Sequence, residues 1–298
     1  MTVERIEQDL EFTNIATAAP APRSYWRIVL LTLLTFGLYY GVMGKLVLDW
    51  YNIPDFSHGF LVPLFSGYLL WCNRKEILSI RRNPTWWGLP IILIALGCLF
   101  VGILGAELFL TRFSLVLMLA GLTIFFWGWA RFRSVLFPWA FLFLMIPIPA
   151  IIFSQITFPL QLLASKLASS LLPLLGVPVL REGNVIYLPA MPLEVAEACS
   201  GIRSLMSLGT LAIIYGYFLE TSTWRRIVLA IAAVPIAVAA NAARVVGTGL
   251  CVQYWDPDKA LGFFHEFSGW VIFVVSLFLL YAVHTVLKAR PKRAEDGR

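Results

Sequence analysis

The sequence predicts an all-α polytopic membrane protein with about eight transmembrane helices, and three observations lead to this fold class. Hydrophobic residues make up 59% of the 298 positions. Charged residues make up only 13%, which is about half the fraction usual in soluble domains. The apolar residues also come in long runs, as a lipid bilayer requires. A water-soluble fold could not cover so much apolar side chain, so the soluble classes are excluded.

The first 25 residues are expected to form a disordered cytoplasmic tail. An Ala- and Pro-rich stretch, 16–22, precedes the first apolar run. A cleavable signal peptide would place its small-residue cleavage site after that run. The first hydrophobic segment is therefore expected to stay in the protein as an anchor.

Eight hydrophobic segments predict the membrane spans. Several are rimmed by tryptophan, which favours the membrane–water boundary because its ring is apolar while its N–H group needs a polar partner. The segments cover residues 26–47, 56–72, 87–106, 113–129, 135–153, 202–219, 227–250 and 268–287.

The distribution of basic residues predicts that both termini face the cytoplasm. In this orientation the inner connections and tails hold 16 of the 23 Lys and Arg residues, and the outer half holds 7. Basic residues are enriched in cytoplasmic connections. We therefore expect a multi-pass protein of the plasma (inner) membrane with a basic cytoplasmic tail at 288–298. The net charge of +6 is then explained without a nucleic-acid partner.

Residues 26–287 are expected to form a single transmembrane domain with one insertion on its outer face, at 154–198. The first part of this insertion alternates apolar and polar residues, which predicts an amphipathic helix in the outer interface. A ninth or re-entrant membrane segment is the alternative. Two apolar runs, 177–181 and 185–188, flank a Glu-Gly-Asn turn and predict a β-hairpin.

Polar residues at the outer ends of the last three spans form a candidate site. Cys199 begins the sixth span, and His265 precedes the eighth. Asn241 and Arg244 lie three residues apart, and so on one face of the seventh. Ionisable groups near hydrocarbon are paired, interfacial or functional. Because spans alternate in direction and neighbouring spans usually pack together, these residues share one depth and are expected to meet at the periplasmic or exterior face.

The residue types suit acyl transfer at a peptide bond. A helix N-terminus and a nearby cation such as Arg203 lower the pKa of a cysteine, and the thiolate is a strong nucleophile. An arginine can stabilise the oxyanion of a tetrahedral intermediate, and a histidine can pass a proton to the leaving amine. We therefore predict a cysteine peptidase or transpeptidase that works through a thioester, with Cys199, Arg244 and His265 as catalytic residues.

Structural roles stay open for each of these three residues. Cys199 could be a small buried hydrophobe, or it could form a disulfide with Cys251 in an oxidising compartment. Arg244 could pair with Glu266. His265 could be a loop residue at the interface.

Further residues are predicted to support the site. Ser57 and His58 open the second span at the same face, but adjacent helical residues point apart, which argues against a direct Ser–His pair. The structural alternatives are a helix cap for Ser57 and an interhelical contact for Asn241. Arg203 either tunes the thiol or pairs with an acidic neighbour such as Glu194. The predicted supporting residues are Arg203, Asn241, Ser200, Glu197, Ser57 and His58.

No metal site and no cofactor are predicted. The 4 cysteines contain neither a CxxC pair nor a metal-ligand spacing. The 3 histidines are too far apart in the sequence to form a local ligand cluster.

Four motifs resemble the exosortase/archaeosortase family. They are Glu-Ala-Cys-Ser-Gly-Ile-Arg-Ser at 197–204, Asn-Ala-Ala-Arg at 241–244, His265 with Ser-Gly-Trp at 268–270, and the early motif at 55–63. The resemblance implies that Cys199, Arg244 and His265 correspond to the family's catalytic residues. Histidine at the third position is similar to the bacterial branch.

The resemblance also implies a substrate class. Family members process C-terminal sorting signals of the PEP-CTERM type on exported proteins, in which a short motif precedes a hydrophobic span and a basic tail. The family is linked with exopolysaccharide-producing surface systems. The expected partners are therefore such exported proteins, membrane lipid and proteins of an exopolysaccharide system. Some bacterial members continue into an extra C-terminal domain where this chain has a short basic tail, so the subtype stays open.

Two other functions are compatible with the sequence. A transporter or channel component could line a polar pathway with Arg244, Asn241 and His265, although half-length spans and an inverted repeat are not evident. A non-catalytic subunit of a surface-polymer export system is the other alternative. A thiol of low pKa at Cys199 would favour the enzyme over both.

Overall fold

The protein is built mainly of helices. The computed structural model describes residues 25–195, 201–255 and 263–289, and the chain divides into two compact units, Met1–Met43 and Gly44–Arg298. The α-helices are α1 Tyr25–Asn52, α2 Leu61–Cys72, α3 Arg74–Ser79, α4 Gly88–Leu104, α5 Leu108–Trp127, α6 Trp129–Ser134, α7 Leu136–Phe141, α8 Ala150–Leu171, α9 Ile202–Leu219, α10 Thr223–Tyr254 and α11 Phe263–Ala289. Short 3-10 helices cover Pro54–Phe60, Leu142–Met145 and Pro173–Leu175.

Within the described ranges, 6 helices are long and apolar enough to cross a membrane, which confirms the polytopic all-α class. Gly88–Leu104 and Leu136–Met145 are apolar but shorter. The number of about eight spans and the orientation of the termini stay predictions. The long apolar helices cover Val29–Asn52, Leu108–Trp127, Ala150–Leu175, Ile202–Leu219, Thr223–Tyr254 and Phe267–Ala289.

Two of the predicted spans are not continuous α-helices. The second, 56–72, begins as a 3-10 helix before α2 starts, and the fifth, 135–153, is divided into α7, a 3-10 helix and the first residues of α8. Pro147 and Pro149 separate the last two pieces. Proline lacks an N–H donor and pushes the preceding residue toward extended backbone. Ile146 accordingly has φ −85° and ψ 119°.

Helices α9, α10 and α11 share one apolar core. Alanine side chains on α9 and α10 let these helices approach closely, as is usual in membrane bundles. Because the helices alternate in direction, α9 begins, α10 ends and α11 begins at one end of the bundle, which we call the Gly201 end. The opposite end, where α9 finishes, is the Glu220 end. The buried core residues are Leu208, Ala212, Leu229, Ala233, Ala237 and Leu280.

A hydrogen-bonded cluster joins these three helices at the Glu220 end. Glu220 Oε1 lies 2.8 Å from His284 Nε2, and both side chains are buried. The Tyr215 hydroxyl lies 2.5 Å from His284 Nδ1. Arg225 Nη1 lies 3.4 Å from Glu220 Oε2. Buried polar groups are costly unless they are hydrogen-bonded, so the cluster fixes the end of α9 against α10 and α11.

The predicted amphipathic helix corresponds to α8, and both of its ends contact the Gly201 end. Near its beginning, the Phe153 ring packs edge-on against Phe56, with 5.7 Å between the ring centroids. Near its end, Leu172 packs against Gly249, close to the end of α10. This placement is the one expected of an interfacial helix, while the length and hydropathy of Ala150–Leu175 also suit a membrane span.

The predicted hairpin is present and is extended by a further strand. Strand β1, Leu180–Glu182, pairs antiparallel with β2, Val185–Tyr187, which pairs antiparallel with β3, Pro192–Glu194. Ser165 Oγ of α8 donates to the Gly183 carbonyl of the hairpin turn at 3.0 Å. The sheet and α8 together cover the last turns of α10. Their shared buried core is Ala164, Ala168, Leu172, Val177, Ile186, Leu188, Leu193, Val195, Val245, Val246 and Val252.

Candidate functional site

The segment that carries the predicted nucleophile precedes α9 directly. Cys199, Ser200 and Glu197 lie outside the described residues. The described chain resumes at Gly201, which caps the helix that begins at Ile202. The positive end of the α9 dipole is therefore only three residues from Cys199 in the chain.

Gly201 fixes this segment against α10. Its φ of 82° lies in the left-handed region, which glycine adopts readily and other residues do not. A Cβ atom placed on Gly201 would lie 2.8 Å from Cβ and Cγ of Asn241, and Asn241 is only 4% exposed. The backbone two residues after Cys199 thus rests directly on the Asn241 side chain.

Arg244 lies one turn further along α10 and reaches α11. Its side chain is partly buried. A Cβ atom placed on Gly269 would lie 3.3 Å from Arg244 Nη2 and 3.4 Å from Cζ. His265 is four residues before Gly269 in the same helix, and residues four apart share one helical face. The guanidinium group of Arg244 therefore packs one helical turn from the His265 backbone.

These contacts bring the three predicted catalytic segments together at the Gly201 end. Asn241 touches the segment that follows Cys199, and Arg244 touches the helix that carries His265. The His265 side chain lies outside the described part of the structure, as does all of Cys199. Direct contact among the Cys199, Arg244 and His265 side chains therefore stays a prediction.

Arg203 pairs with Asp55. Its Nε lies 2.9 Å from Asp55 Oδ1, with the side chains 48% and 17% exposed. The alternative partner Glu194 is exposed in β3. An ion pair this accessible contributes about 0–1 kcal/mol. Its main effect is to hold the first turn of α9 beside the 3-10 helix Pro54–Phe60.

Ser57 and His58 bind different backbone carbonyls. The Ser57 hydroxyl donates to Pro54 O at 2.9 Å. His58 is buried, and its Nε2 lies 3.2 Å from Leu144 O. The Ser57 bond lies within the 3-10 helix, whereas the His58 contact joins this helix to the 3-10 helix Leu142–Met145. The supporting role of both side chains at the site stays a prediction.

The Asp55–Arg203 pair was missed by sequence reasoning. The order of the spans predicts that the polar cluster at 55–59 lies at the same face as Cys199. Nothing in the spacing of residues 148 positions apart predicts their ion pair. Asp55 next to the Ser57–His58 motif was the available signal.

The described part of the chain holds three free cysteines. No disulfide joins Cys72, Cys98 and Cys251 to one another. The alternative disulfide between Cys199 and Cys251 involves a residue outside the described ranges and stays untested. Among the described side chains, no group of three or more His, Cys, Asp or Glu residues is placed to hold a metal ion.

Comparison with known proteins identifies a family. A family model described as transmembrane exosortase (Exosortase_EpsH) matches residues 50–282. The matched range includes all the predicted catalytic residues and the Asp55–Arg203 pair. No curated protein and no solved structure matches the chain.

Proposed function

Because the chain belongs to the transmembrane exosortase family, we propose that it is a cysteine peptidase or transpeptidase of the plasma (inner) membrane. It cleaves C-terminal sorting signals of exported proteins at the outer face. The observation that carries this proposal is the convergence at the Gly201 end, where Asn241 contacts Gly201 and Arg244 contacts Gly269. These helix contacts support a site in which the thiol, the guanidinium and the imidazole act on one peptide bond.

The first step is attack by the Cys199 thiolate on the carbonyl carbon of the scissile bond. The positive end of the α9 dipole favours the thiolate over the thiol. A carbon–sulfur bond forms, and the carbonyl electrons move to the oxygen. Arg244 donates hydrogen bonds to this oxyanion, which is the usual means of stabilising a tetrahedral intermediate.

The second step expels the amine and leaves a thioester. His265 gives its proton to the departing nitrogen as the carbon–nitrogen bond breaks. Water or an acceptor amine then attacks the thioester, gives a proton back to His265 and releases the thiolate. The hydrophobic span of the sorting signal docks among the helices, and its basic tail faces the cytoplasm.

The substrate partners follow from this mechanism. They are exported proteins whose C-terminus carries a short motif, a hydrophobic span and a basic tail. Proteins of an exopolysaccharide system are the other proposed partners. The bound span would share the lipid-facing surface with membrane lipid.

Replacing the nucleophile tests the proposal. We expect Cys199→Ala to abolish processing of a co-expressed tripartite-tail protein, because no other group in the mechanism forms the thioester. Cys251→Ala is the matched control and should process normally. Processing is measured as the shift in substrate mass, and membrane insertion of each variant is checked by fractionation. Normal processing by the inserted Cys199→Ala variant would refute the cysteine mechanism.

A trapped intermediate supplies the positive result. We expect wild-type protein to hold part of the substrate in a hydroxylamine-sensitive adduct, because a thioester is cleaved by that nucleophile. Mass spectrometry should place the adduct on the peptide that contains Cys199. An adduct on Cys251 would contradict the assignment.

A further inference from the structure

A cavity of about 490 Å³ opens at the Glu220 end of the protein, between the start of α4 and the turn from α5 to α6. Two ring contacts place the neighbouring elements α2 and α7 at this end. Tyr68, near the end of α2, packs on Phe218, and Phe137, at the start of α7, stacks on Tyr217. The cavity is lined by Asn83, Thr85, Trp87, Pro90, Ile91, Trp129 and Ala130. Its volume is within the range of small-molecule sites.

The cavity wall is held in place by backbone contacts. A Cβ atom on Gly128, which has a φ of 85°, would lie 2.0 Å from Asn83 O. Asn83 N also donates to Trp127 O at 3.3 Å. The buried Arg131 donates through Nη2 to Ile80 O at 2.5 Å. The connection from α3 to α4 therefore packs directly on the turn between α5 and α6.

The residues that line the cavity are uncharged, but the two chain segments that supply them are rich in arginine. Segments 77–91 and 127–135 contain Arg81, Arg82, Arg131 and Arg133 and no acidic residue. Arg81, Arg82 and Arg133 are exposed. The Arg133 guanidinium lies 5.9 Å from the centre of the Trp129 ring, which lines the cavity. Burial and the nearby charge of Arg82 both lower the pKa of Arg131, so an anion bound here would relieve repulsion among these groups.

The apolar part of the lining includes two exposed tryptophans. Trp87 is 77% exposed and Trp129 is 46% exposed, and tryptophan favours the headgroup level of a bilayer. Ile91 and Pro90 continue the apolar wall along α4. A ligand that matches both parts needs a negative phosphate and an adjoining hydrocarbon chain.

We infer that this cavity binds the headgroup of an anionic phospholipid, with the phosphate held by the exposed flanking arginines Arg81, Arg82 and Arg133 and an acyl chain along Ile91 and Trp129. Guanidinium groups suit phosphate because their N–H donors match its oxygens, and basic pockets on the cytoplasmic side of membrane proteins bind such lipids. The inference concerns the end opposite to the candidate catalytic residues. It does not rest on the proposed function.

The test uses the full chain, purified in a neutral detergent and titrated with phosphatidylglycerol. Retained lipid is counted by native mass spectrometry. Phosphatidylcholine with the same acyl chains tests the need for net charge, and excess inorganic phosphate tests the need for the chains. The charge variant is the double substitution Arg82→Gln and Arg133→Gln. Its matched control is Arg74→Gln with Lys75→Gln, which removes two charges from the same end but lies outside segments 77–91 and 127–135. The Arg74 guanidinium lies 4.2 Å from the centre of the Trp71 ring.

We expect wild type and the control variant to bind phosphatidylglycerol equally well. The double variant Arg82→Gln and Arg133→Gln should bind it at least about tenfold more weakly. Ala130→Trp fills the cavity without changing charge and should cause a similar loss. An unchanged thermal unfolding midpoint shows that these variants are folded. Equal binding of phosphatidylcholine, displacement by inorganic phosphate, or an equal loss in the control pair would each overturn the inference.

Discussion

At the scale of single residues, Gly201 and Gly269 set how closely Asn241 and Arg244 approach the neighbouring helices. Each glycine stands where a side chain would meet a polar group of α10. The contact at Gly201 is the tighter one, because the obstructing atoms belong to the buried stem of Asn241 and cannot swing away. The contact at Gly269 involves the end of a long side chain, which has more freedom to move.

Gly201→Ala should therefore disable the site. The added methyl group collides with Asn241, and the left-handed backbone costs a non-glycine residue about 1–2 kcal/mol. We expect processing of a sorting-signal substrate to fall by about tenfold or more. The matched control is Gly209→Ala in the same helix, where an added Cβ meets nothing within 4 Å. Equal processing by the two alanine variants, each normalised to inserted protein, would contradict this role for Gly201.

The sequence could indicate the polar residues of the site but not the contacts that hold them. Cys199, Arg244 and His265 stand out because ionisable groups are rare near membrane spans. Asn241 and Arg244 share a face by spacing alone. Gly201 and Gly269 look like ordinary helix-flanking and helical glycines, since a close approach between two helices depends on the partner helix.

At the scale of the elements, the Glu220 cluster fixes the ends of three helices and makes their packing sensitive to acid. Burial alone would raise the pKa of Glu220. The hydrogen bond from His284 and the charge of Arg225 outweigh burial and hold this pKa below its ordinary value of 4.5. The carboxylate therefore stabilises the fold above that value, and the stabilisation is lost as the pH falls through the lowered pKa.

Glu220→Gln should flatten the dependence of stability on pH. The amide keeps a hydrogen-bond acceptor near His284 but has no proton to gain. We expect the thermal unfolding midpoint of wild type in neutral detergent to drop more steeply than that of the variant between about pH 6 and pH 3. Glu194→Gln, at an exposed position in β3, should behave like wild type. Parallel curves for wild type and Glu220→Gln would show that the cluster does not carry this dependence.

Element boundaries were predictable where hydrophobic runs were long and uninterrupted. Segment 202–219 coincides with α9 because its hydrophobic run ends at Glu220. Segment 135–153 was wrong as one continuous helix, because Pro147 and Pro149 interrupt it. Strand β3 was not predicted because a strand of three residues that begins with proline shows no alternation to recognise. Local composition does not predict an element such as β3, which forms because it pairs with the neighbouring strand β2.

At the scale of the whole molecule, the orientation in the membrane can be tested by labelling single cysteines. Each substitution is made in a background without native cysteines. Ala150→Cys lies at the start of α8, Glu182→Cys lies in β1 after the end of α8, and Glu76→Cys lies in α3. We expect a membrane-impermeant maleimide to label the first two in intact cells, because both ends of α8 lie at the Gly201 end. Glu76→Cys should be labelled only after permeabilisation, because basic connections face the cytoplasm.

The pattern of labelling also decides the role of α8. If α8 crossed the membrane, positions 150 and 182 would be labelled from opposite sides. That result would overturn the interfacial placement and change the number of spans. Hydropathy could not settle this point, since an interfacial helix that packs on a sheet and a true span have similar composition in this chain.

The length of α10 has a consequence for any protein that is cut at this site. Beyond Arg244, α10 continues to Tyr254, about 15 Å along its axis. Helix α8 and the sheet pack against this extension. Under the proposed function, this covered extension would keep a globular domain of the substrate away from the scissile bond. The substrate would then need a linker of about four or five extended residues between that domain and the bond. The protein would then select its substrates partly by the length of the linker between their last folded residue and the membrane, independently of the fold of that domain.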